Sequence, residues 1–308
     1  MNNEEIIKWL LDGDVSIQYQ VNRDLLSINR EDLRNRIALE GWGANFLSKR
    51  NPDGHWGRKF YHPKWTSSHY TLLDLRNLCI SPDNRSIKES IGRIVNNEKG
   101  QDGGILPIGS VQVCDVCVNG MFLNYASYFK TEERYLKSII DFILAQRMPD
   151  GGFNCRFNRY GAKHSSLHST ISVLEGMTEY LINGYHFRHK ELSEARQSSV
   201  EFMLTHQLFL SDRTGEIINK DFLKLSYPGR WRYDVLRGLD FLQYAGEPMD
   251  KRMEPALEVL LKKRNKDKTW NLQAKHHGQV HFDMEKAGSP SRWNTLRSLR
   301  VMKHFGME

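Results

Sequence analysis

The chain has 308 residues, 39% of them apolar and 26% charged, with a formal net charge of +7. That composition excludes a disordered segment, which carries fewer apolar residues. It also excludes a helical membrane protein, because no unbroken apolar run approaches the roughly 20 residues that a spanning helix needs.

The opening sequence, MNNEEIIKWLLDGD, is acidic and lacks a basic start followed by a long apolar stretch, so no secretory signal is expected. The four cysteines (Cys79, Cys114, Cys117 and Cys155) are too few to staple so long a chain, and a reducing, cytoplasmic location is expected. Lys and Arg are scattered, with no run of five. Proteins that track phosphates concentrate their charge on one face, so no nucleic-acid partner is expected.

Helical periodicity begins at once. Helices are predicted over 3–11, 14–28 and 31–48. A turn, NPDGHWG around Asp53, follows, and then helices over 65–78 and 86–97. The pattern recurs. QDGG at Asp102 precedes helices over 113–129 and 133–147, and MPDGGFN at Asp150 precedes helices over 165–181 and 191–207. Weaker turns at Asp212 and Asp267 precede helices over 230–245 and 251–264, and over 291–305. The five aspartates are spaced by 49, 48, 62 and 55 residues, a loose internal repeat.

Asp-Gly and Gly-Gly supply the positive φ that such turns need. The aromatic that follows (Trp56, Phe153 or Trp270) is expected to pack between helices. Leu72, Leu75 and Leu78 fall at three-residue steps, as do Leu296, Leu299 and Met302, which is helical spacing and not strand alternation. Ser289 before Pro290 reads as a helix start, and Ser67 or Ser68 as another. Convincing strand runs are absent. Twelve helices in alternating pairs close most simply into a double ring, one helix of each pair inside and one outside. The expected fold is all-α: a single (α/α)6 toroid domain over residues 1–308.

The QDGG-type turns resemble those of the squalene-hopene cyclase and protein prenyltransferase β-subunit superfamily, and the resemblance runs through nearly the whole chain. It implies the (α/α)6 barrel again. Class II terpene cyclases protonate their substrate with an Asp-x-Asp-Asp motif. The nearest approach here is Asp115-Val116-Cys117, so cyclisation is not implied. Protein prenyltransferases instead hold zinc through an Asp-x-Cys pair at the start of one inner helix and a His at the start of the next. Asp115 and Cys117 match that pair, and His168 falls 51 residues after Cys117. The resemblance therefore implies a zinc site on Asp115, Cys117 and His168.

Thiolate, imidazole and carboxylate would leave the fourth tetrahedral position open, which is the catalytic arrangement. Asp115 and Cys117 can converge only where the helix is just starting, and Gly109 and Ser110 shortly before them allow this. The other reading is that Asp115 caps a helix and Cys117 is a small core residue. The family's basic residues before the pair and its Tyr after it are missing here, where GSVQVC precedes and Val118 follows. Arg156, Arg159 and Lys163 in the 153–164 loop either replace them or simply form a solvated loop. Cys114 and Cys117 have Cys-x-x-Cys spacing, without the α/β context of thioredoxin-type pairs.

Trp65, His69, Trp231, Tyr233 and Trp293 cluster at inner-helix starts. With His164, they are the candidate lining of a substrate cavity. Aromatic faces suit an isoprenoid chain or a carbocation. Asp234 and Asp240 are expected to ion-pair, with Arg230, Arg232 and Arg237 close by. Two function classes follow: a zinc-dependent enzyme acting on an isoprenoid or other apolar substrate, or a non-catalytic toroid that binds a lipid or protein partner. Glycan hydrolysis by paired carboxylates, known from other toroids, lacks a convincing pair here.

Overall fold

A computed structural model describes residues 3–107 and 112–307. Gly109 and Ser110, which the sequence reading sets before an inner helix, lie outside the described residues. The early helices are α1 (Asn3–Leu11), α2 (Val15–Gln20, continued by a π turn, Val21–Leu25), α3 (Glu31–Arg36) and α4 (Gly41–Ser48). Next come α5 (Ser68–Asn77), α6 (Arg85–Asn97), α7 (Val116–Tyr128) and α8 (Glu133–Ala145). A single turn, α9 (Phe157–Tyr160), precedes α10 (Leu167–Ile182) and α11 (His189–Thr205). The last are α12 (Val235–Tyr244), α13 (Glu254–Lys262) and α14 (Arg292–His304). Among the described residues the only strands are β1 (Trp270–Asn271) and β2 (Pro290–Ser291), an antiparallel pair.

All twelve expected helices are present, with two corrections. The stretch 31–48 is two helices. Gly41 takes a left-handed φ of +62°, and the Asp14 carboxylate accepts the Trp42 N–H at 2.8 Å, so a second helix starts there. A smaller correction concerns α14. It is capped by Ser291, whose Oγ accepts the Asn294 N–H at 2.9 Å, because Pro290 is taken up in β2.

The chain divides into two units, one of Met1–Ser48, Asn77–Ser81 and Leu204–Glu308, the other of Lys49–Arg76 and Pro82–Met203. In the second unit the repeat turns share one hydrogen-bond scheme. In each, an amide opens the turn by donating to the residue four further on: Asn51 to His55, Gly100 to Gly104, Met148 to Gly152. A glycine with φ of +87°, +87° or +94° (Gly54, Gly103, Gly151) closes it. The next residue but one then donates its N–H to the start of an inner helix. Trp56 donates to Ser68 Oγ at 3.0 Å, Ile105 to Asn119 Oδ1 at 2.7 Å and Phe153 to Thr170 Oγ1 at 3.0 Å. The following outer helix reaches back to the turn: Ser90 and Ser138 donate to the carbonyls of Gly54 and Gly103, at 2.6 and 2.8 Å. Each turn is therefore tied to an inner and an outer helix by buried polar groups. Such bonds stabilise modestly when made and cost much when one partner is lost.

The outer helices α6 and α8 are amphipathic, burying Ile87, Ile91 and Ile94, and Leu136, Ile139, Ile140 and Ile143. The inner helices differ: α7 is buried from Val118 through Ser127, and α10 nearly so from Leu167 through Tyr180. A helix covered on all sides loses its polar face. Its buried polar residues then serve the repeat, as Asn119 and Thr170 do. α7 and α10 touch backbone to backbone: a Cβ on Gly120 would lie 2.6 Å from the Ser172 carbonyl oxygen, and one on Gly176 would overlap the Gly120 carbonyl. This contact sets the starts of the two helices side by side.

In the first unit the same scheme appears at Asp267. Asn265 N–H donates to Thr269 O, and Trp270 N–H to Thr295 Oγ1 in α14 at 3.0 Å. Here Lys268 takes the left-handed position, with φ of +68°. The turn at Asp212 is one residue longer, with Gly215 N–H donating to Ser211 O. Asp240 of α12 pairs not with Arg230, Arg232 or Arg237 but with Arg297 and Arg300 of α14, the former at 3.0 Å. Asp234 instead caps α12, accepting the Arg237 N–H at 2.9 Å.

Candidate active site

The starts of α5, α7 and α10 carry most of the chemistry-bearing residues of the second unit. Asp115 is the N-cap position of α7, and Cys117 lies in its first turn. No side-chain cap bond forms there, because the Asp115 carboxylate turns instead to Arg159, with Nη1 at 3.2 Å. The short helix α9 holds that guanidinium in place. Arg159 Nη2 donates to Val113 O at 2.7 Å, and Asn158 Nδ2 to Cys114 O at 3.0 Å. Burial raises the Asp115 carboxyl above its ordinary range, against the pull of Arg159 and Lys64.

Cys117 and Cys155 are close enough to act on each other's ionisation. Cys155, with burial, raises the Cys117 thiol well above its ordinary value. Cys117 and Ser169, against the effect of burial, lower Cys155 towards the thiolate. The Cys155 N–H donates to Ser169 Oγ at 3.1 Å, so the first turn of α10 anchors the cysteine loop. Cys114, the spacing partner of Cys117, is elsewhere. It is fully buried and its N–H donates to Asp102 Oδ2 at 2.8 Å, while burial and that carboxylate push its thiol pKa up. It precedes the helix, so the shared face that three-residue spacing would give never forms.

His168, the implied third zinc ligand, is half-buried in the first turn of α10. Its neighbour Ser169 is the residue of that turn whose hydroxyl accepts the Cys155 N–H. Among the described residues no three His, Cys, Asp or Glu side chains stand together so as to hold a metal ion. Among the described residues the expected set is thus not drawn into a ligand cluster, and its carboxylate is engaged by a guanidinium.

Next to this group stands an aromatic cluster built on His69 in α5. The imidazole is fully buried, ringed by Phe60, Tyr61, Tyr70 and Tyr125 at centroid distances of 5.3, 5.3, 4.8 and 5.7 Å. Its Nδ1 meets the Tyr125 hydroxyl at 3.3 Å, and its Nε2 is buried with no hydrogen-bond partner in the protein. Burial lowers its pKa to about 3, so the ring is neutral at neutral pH. Tyr61 joins the two groups. Its hydroxyl meets that of Tyr70 at 3.0 Å, and its pKa is raised by burial and, further, by the nearby Cys117, Asp115 and Cys155. Trp65 packs edge-on against Tyr70, with Lys64 Nζ 4.9 Å from its ring centre.

The other expected cavity residues fall elsewhere. His164 is exposed in the loop before α10, where its carbonyl accepts from Asn154. Trp231, Tyr233 and Trp293 belong to the first unit. Trp231 is half-buried under Arg232, Tyr233 packs on Phe222, and Trp293 stacks on Tyr227 and Trp42, at 4.5 and 6.0 Å. Sequence reasoning missed Tyr61, Tyr70, Tyr125, Cys155 and Ser169 as site residues. The repeat held a usable signal for Cys155. Each stretch from a turn to the next inner helix runs to the end where Asp115 and Cys117 lie.

No protein-family profile and no curated protein matches the sequence. Solved structures do. A polysaccharide lyase aligns over 99% of this chain and 97% of its own, with a TM-score of 0.54 at 12% identity. A glycosyl hydrolase of family 88 from Bacteroides vulgatus aligns over 98% of this chain and 97% of its own, with a TM-score of 0.54 at 11% identity. A type II terpene cyclase from Scytonema, MstE, aligns over 94% of this chain and 88% of its own, with a TM-score of 0.45 at 11% identity. Among the described residues no helix is long and apolar enough to cross a membrane. At these identities the likeness shows the fold alone: the chain is an all-α toroid.

Proposed function

We propose that the cluster at the starts of α5, α7 and α10 is an active site for an isoprenoid-like chain with an anionic head. One observation carries the reading. Tyr61 lies between an aromatic wall (Tyr70 and Trp65) and a polar group in which Lys64, Arg156 and Arg159 flank Asp115 and the Cys117–Cys155 pair. The cations would take the anionic head. The ring faces would stabilise positive charge that develops on the hydrocarbon as the head departs, by ~2 kcal/mol per well-placed ring when water is excluded. The Cys155 thiolate is the nucleophilic or charge-balancing group.

Titration with farnesyl diphosphate, followed by tryptophan fluorescence and equilibrium dialysis, tests the reading. Saturable binding is expected, and Lys64→Ala, Arg156→Ala and Arg159→Ala together should weaken it at least tenfold. Cys155→Ser should bind normally but form no product from the bound diphosphate. Binding that ignores the three cations would overturn the assignment, and binding without any turnover would leave a carrier of apolar anions. Zinc on Asp115, Cys117 and His168 would require His168 to replace Cys155 beside Cys117. Metal analysis of untagged protein tests that arrangement: stoichiometric zinc, lost in Cys117→Ala, would support it.

A further inference from the structure

We infer that a pocket in the first unit binds a medium-chain fatty carboxylate, its head on Arg264, Lys268 and Lys303 and its chain against α1 and α14. The pocket has a volume of about 330 Å³ and lies between α1, the π turn, the Asp267 turn and α14. Of its apolar lining, Ile6 and Met302 are buried, Leu25 and Leu299 are half-buried, and Leu26 is exposed, so the apolar surface runs from the core out to solvent. No Asp or Glu lines it.

Two departures of the backbone place cations at this pocket. The first is the π turn Val21–Leu25, a form that recurs at functional sites. Leu26 N–H donates to Val21 O at 3.1 Å, and Ser27 follows with a left-handed φ of +57°. In a continuing α-helix Ile28 would donate to Asp24; here it donates to Asn22 O at 2.8 Å. Lys303 Nζ takes up the carbonyls of Asp24 and Leu25, at 3.1 and 2.9 Å. An ammonium has three N–H donors, so one is left to face a ligand.

The second departure is at Lys268. The turns at Asp53, Asp102 and Asp150 put a glycine (Gly54, Gly103 or Gly151) in the left-handed position, whereas the Asp267 turn puts Lys268 there, with φ of +68°. A side chain at that φ carries a steric cost that glycine does not. Strain kept where glycine would relieve it points to a use for the lysine side chain, and that side chain lines the pocket. Arg264, just before the same turn, lies over Trp270, 5.3 Å from the ring centre, and its Nε is buried with no hydrogen-bond partner among the described residues.

The neighbouring carboxylates are engaged elsewhere: Asp24 by Arg23 and Arg300, Asp267 by the N–H and hydroxyl of Thr269. The lining charge is therefore positive and selects an anion, and a guanidinium matches a planar carboxylate. A volume of about 330 Å³ is at the small end of ligand sites, which fits one short chain rather than the two of a bilayer lipid. The inference does not rest on the isoprenoid-like site, which belongs to the other unit.

Calorimetric titration of the full-length protein with decanoate, below its micellar concentration, tests the inference. Saturable one-to-one binding is expected. Hexanoate should bind roughly tenfold or more weakly, since four methylenes are lost. Decanol, without the charge, should also bind roughly tenfold or more weakly, and decyltrimethylammonium should not bind. Lys268→Gly should weaken decanoate binding by roughly tenfold or more while the melting temperature holds or rises, because the left-handed strain is relieved. A folding defect therefore cannot mimic the loss. Absence of decanoate binding would overturn the inference, as would binding that Lys268→Gly leaves unchanged or that decyltrimethylammonium matches. Binding lost in Lys64→Ala with Arg159→Ala, yet kept in Lys268→Gly, would assign the carboxylate to the other site and overturn it too.

Discussion

Gly176 of α10 lies with its Cα directly against the carbonyl of Gly120 in α7, so that a single added methyl group would overlap that oxygen. The starts of the same two helices carry Cys117 and Ser169, and the closeness of their backbones brings the cysteine loop within reach of α7. Gly176→Ala should therefore destabilise the fold by roughly 2 kcal/mol or more through overpacking. Urea unfolding reads the effect, and a variant of native stability would show that the helices can separate at no cost.

Thr170 Oγ1 accepts the Phe153 N–H at 3.0 Å in a fully buried site. Thr170→Val keeps the shape and removes the acceptor. The stranded N–H should cost about 1–3 kcal/mol. An equal loss is expected for Thr295→Val, whose hydroxyl accepts the Trp270 N–H in the other unit. Equilibrium unfolding checks whether the two losses match, as the shared scheme requires.

The turn glycines divide by role. Gly103 and Gly151 have φ of +87° and +94°, whereas Gly104 and Gly152 are crowded instead, with an added Cβ 2.9 Å from the Cys114 Cβ or 2.7 Å from Thr170 Oγ1. Valine at any of the four should lower stability by at least ~1 kcal/mol. Gly103→Asn should be milder than Gly103→Val, since Asn tolerates the left-handed region. Gly104→Asn should gain nothing over valine. Thermal melts of the set distinguish backbone strain from lack of space.

The buried His69 gives the fold a pH dependence. Its pKa falls from an ordinary 6.5 to about 3, so between these values the unfolded chain binds a proton that the native state refuses. The contribution is complete above pH 6.5 and shrinks as pH falls, by about 1.4 kcal/mol per unit until the native ring titrates. The stability difference between native protein and His69→Gln should therefore narrow as pH drops from 7 to 4. A constant difference would mean that the ring gains its proton without cost.

Asp240 accepts from Arg297 and Arg300 in α14. Burial would raise its pKa, but the two guanidinium groups hold it below the ordinary carboxylate value. Asp240→Ala should cost about 3–5 kcal/mol, because it leaves the buried Arg300 charge with only Asp24, at 3.1 Å. Adding Arg300→Met to Asp240→Ala should recover part of that loss in a double-mutant cycle.

Much of the fold could be read from the sequence because the repeat is local. Asp-Gly and Gly-Gly turns, helical spacing and period are properties of short segments, and they located every helix of the double series. The break at Gly41 was missed because Asp14, which supplies the cap for the second helix, is far along the chain. Asp115 and Cys117 were placed correctly at a helix start, since a helix start is also local. Their partners were not. The sequence offered Cys114 by spacing and His168 by resemblance, yet the thiol that acts on Cys117 is that of Cys155, and Asp115 meets Arg159. Which side chain faces which across two helices depends on how those helices cross. Here that depends on two glycines 56 residues apart that let the backbones touch. Local chemistry thus determined the turns, the helices and the residues at their starts. The thiol that acts on Cys117, the charge beside Asp115 and the burial that keeps His69 neutral arose only when distant segments packed, because burial and contact are properties of the assembled chain.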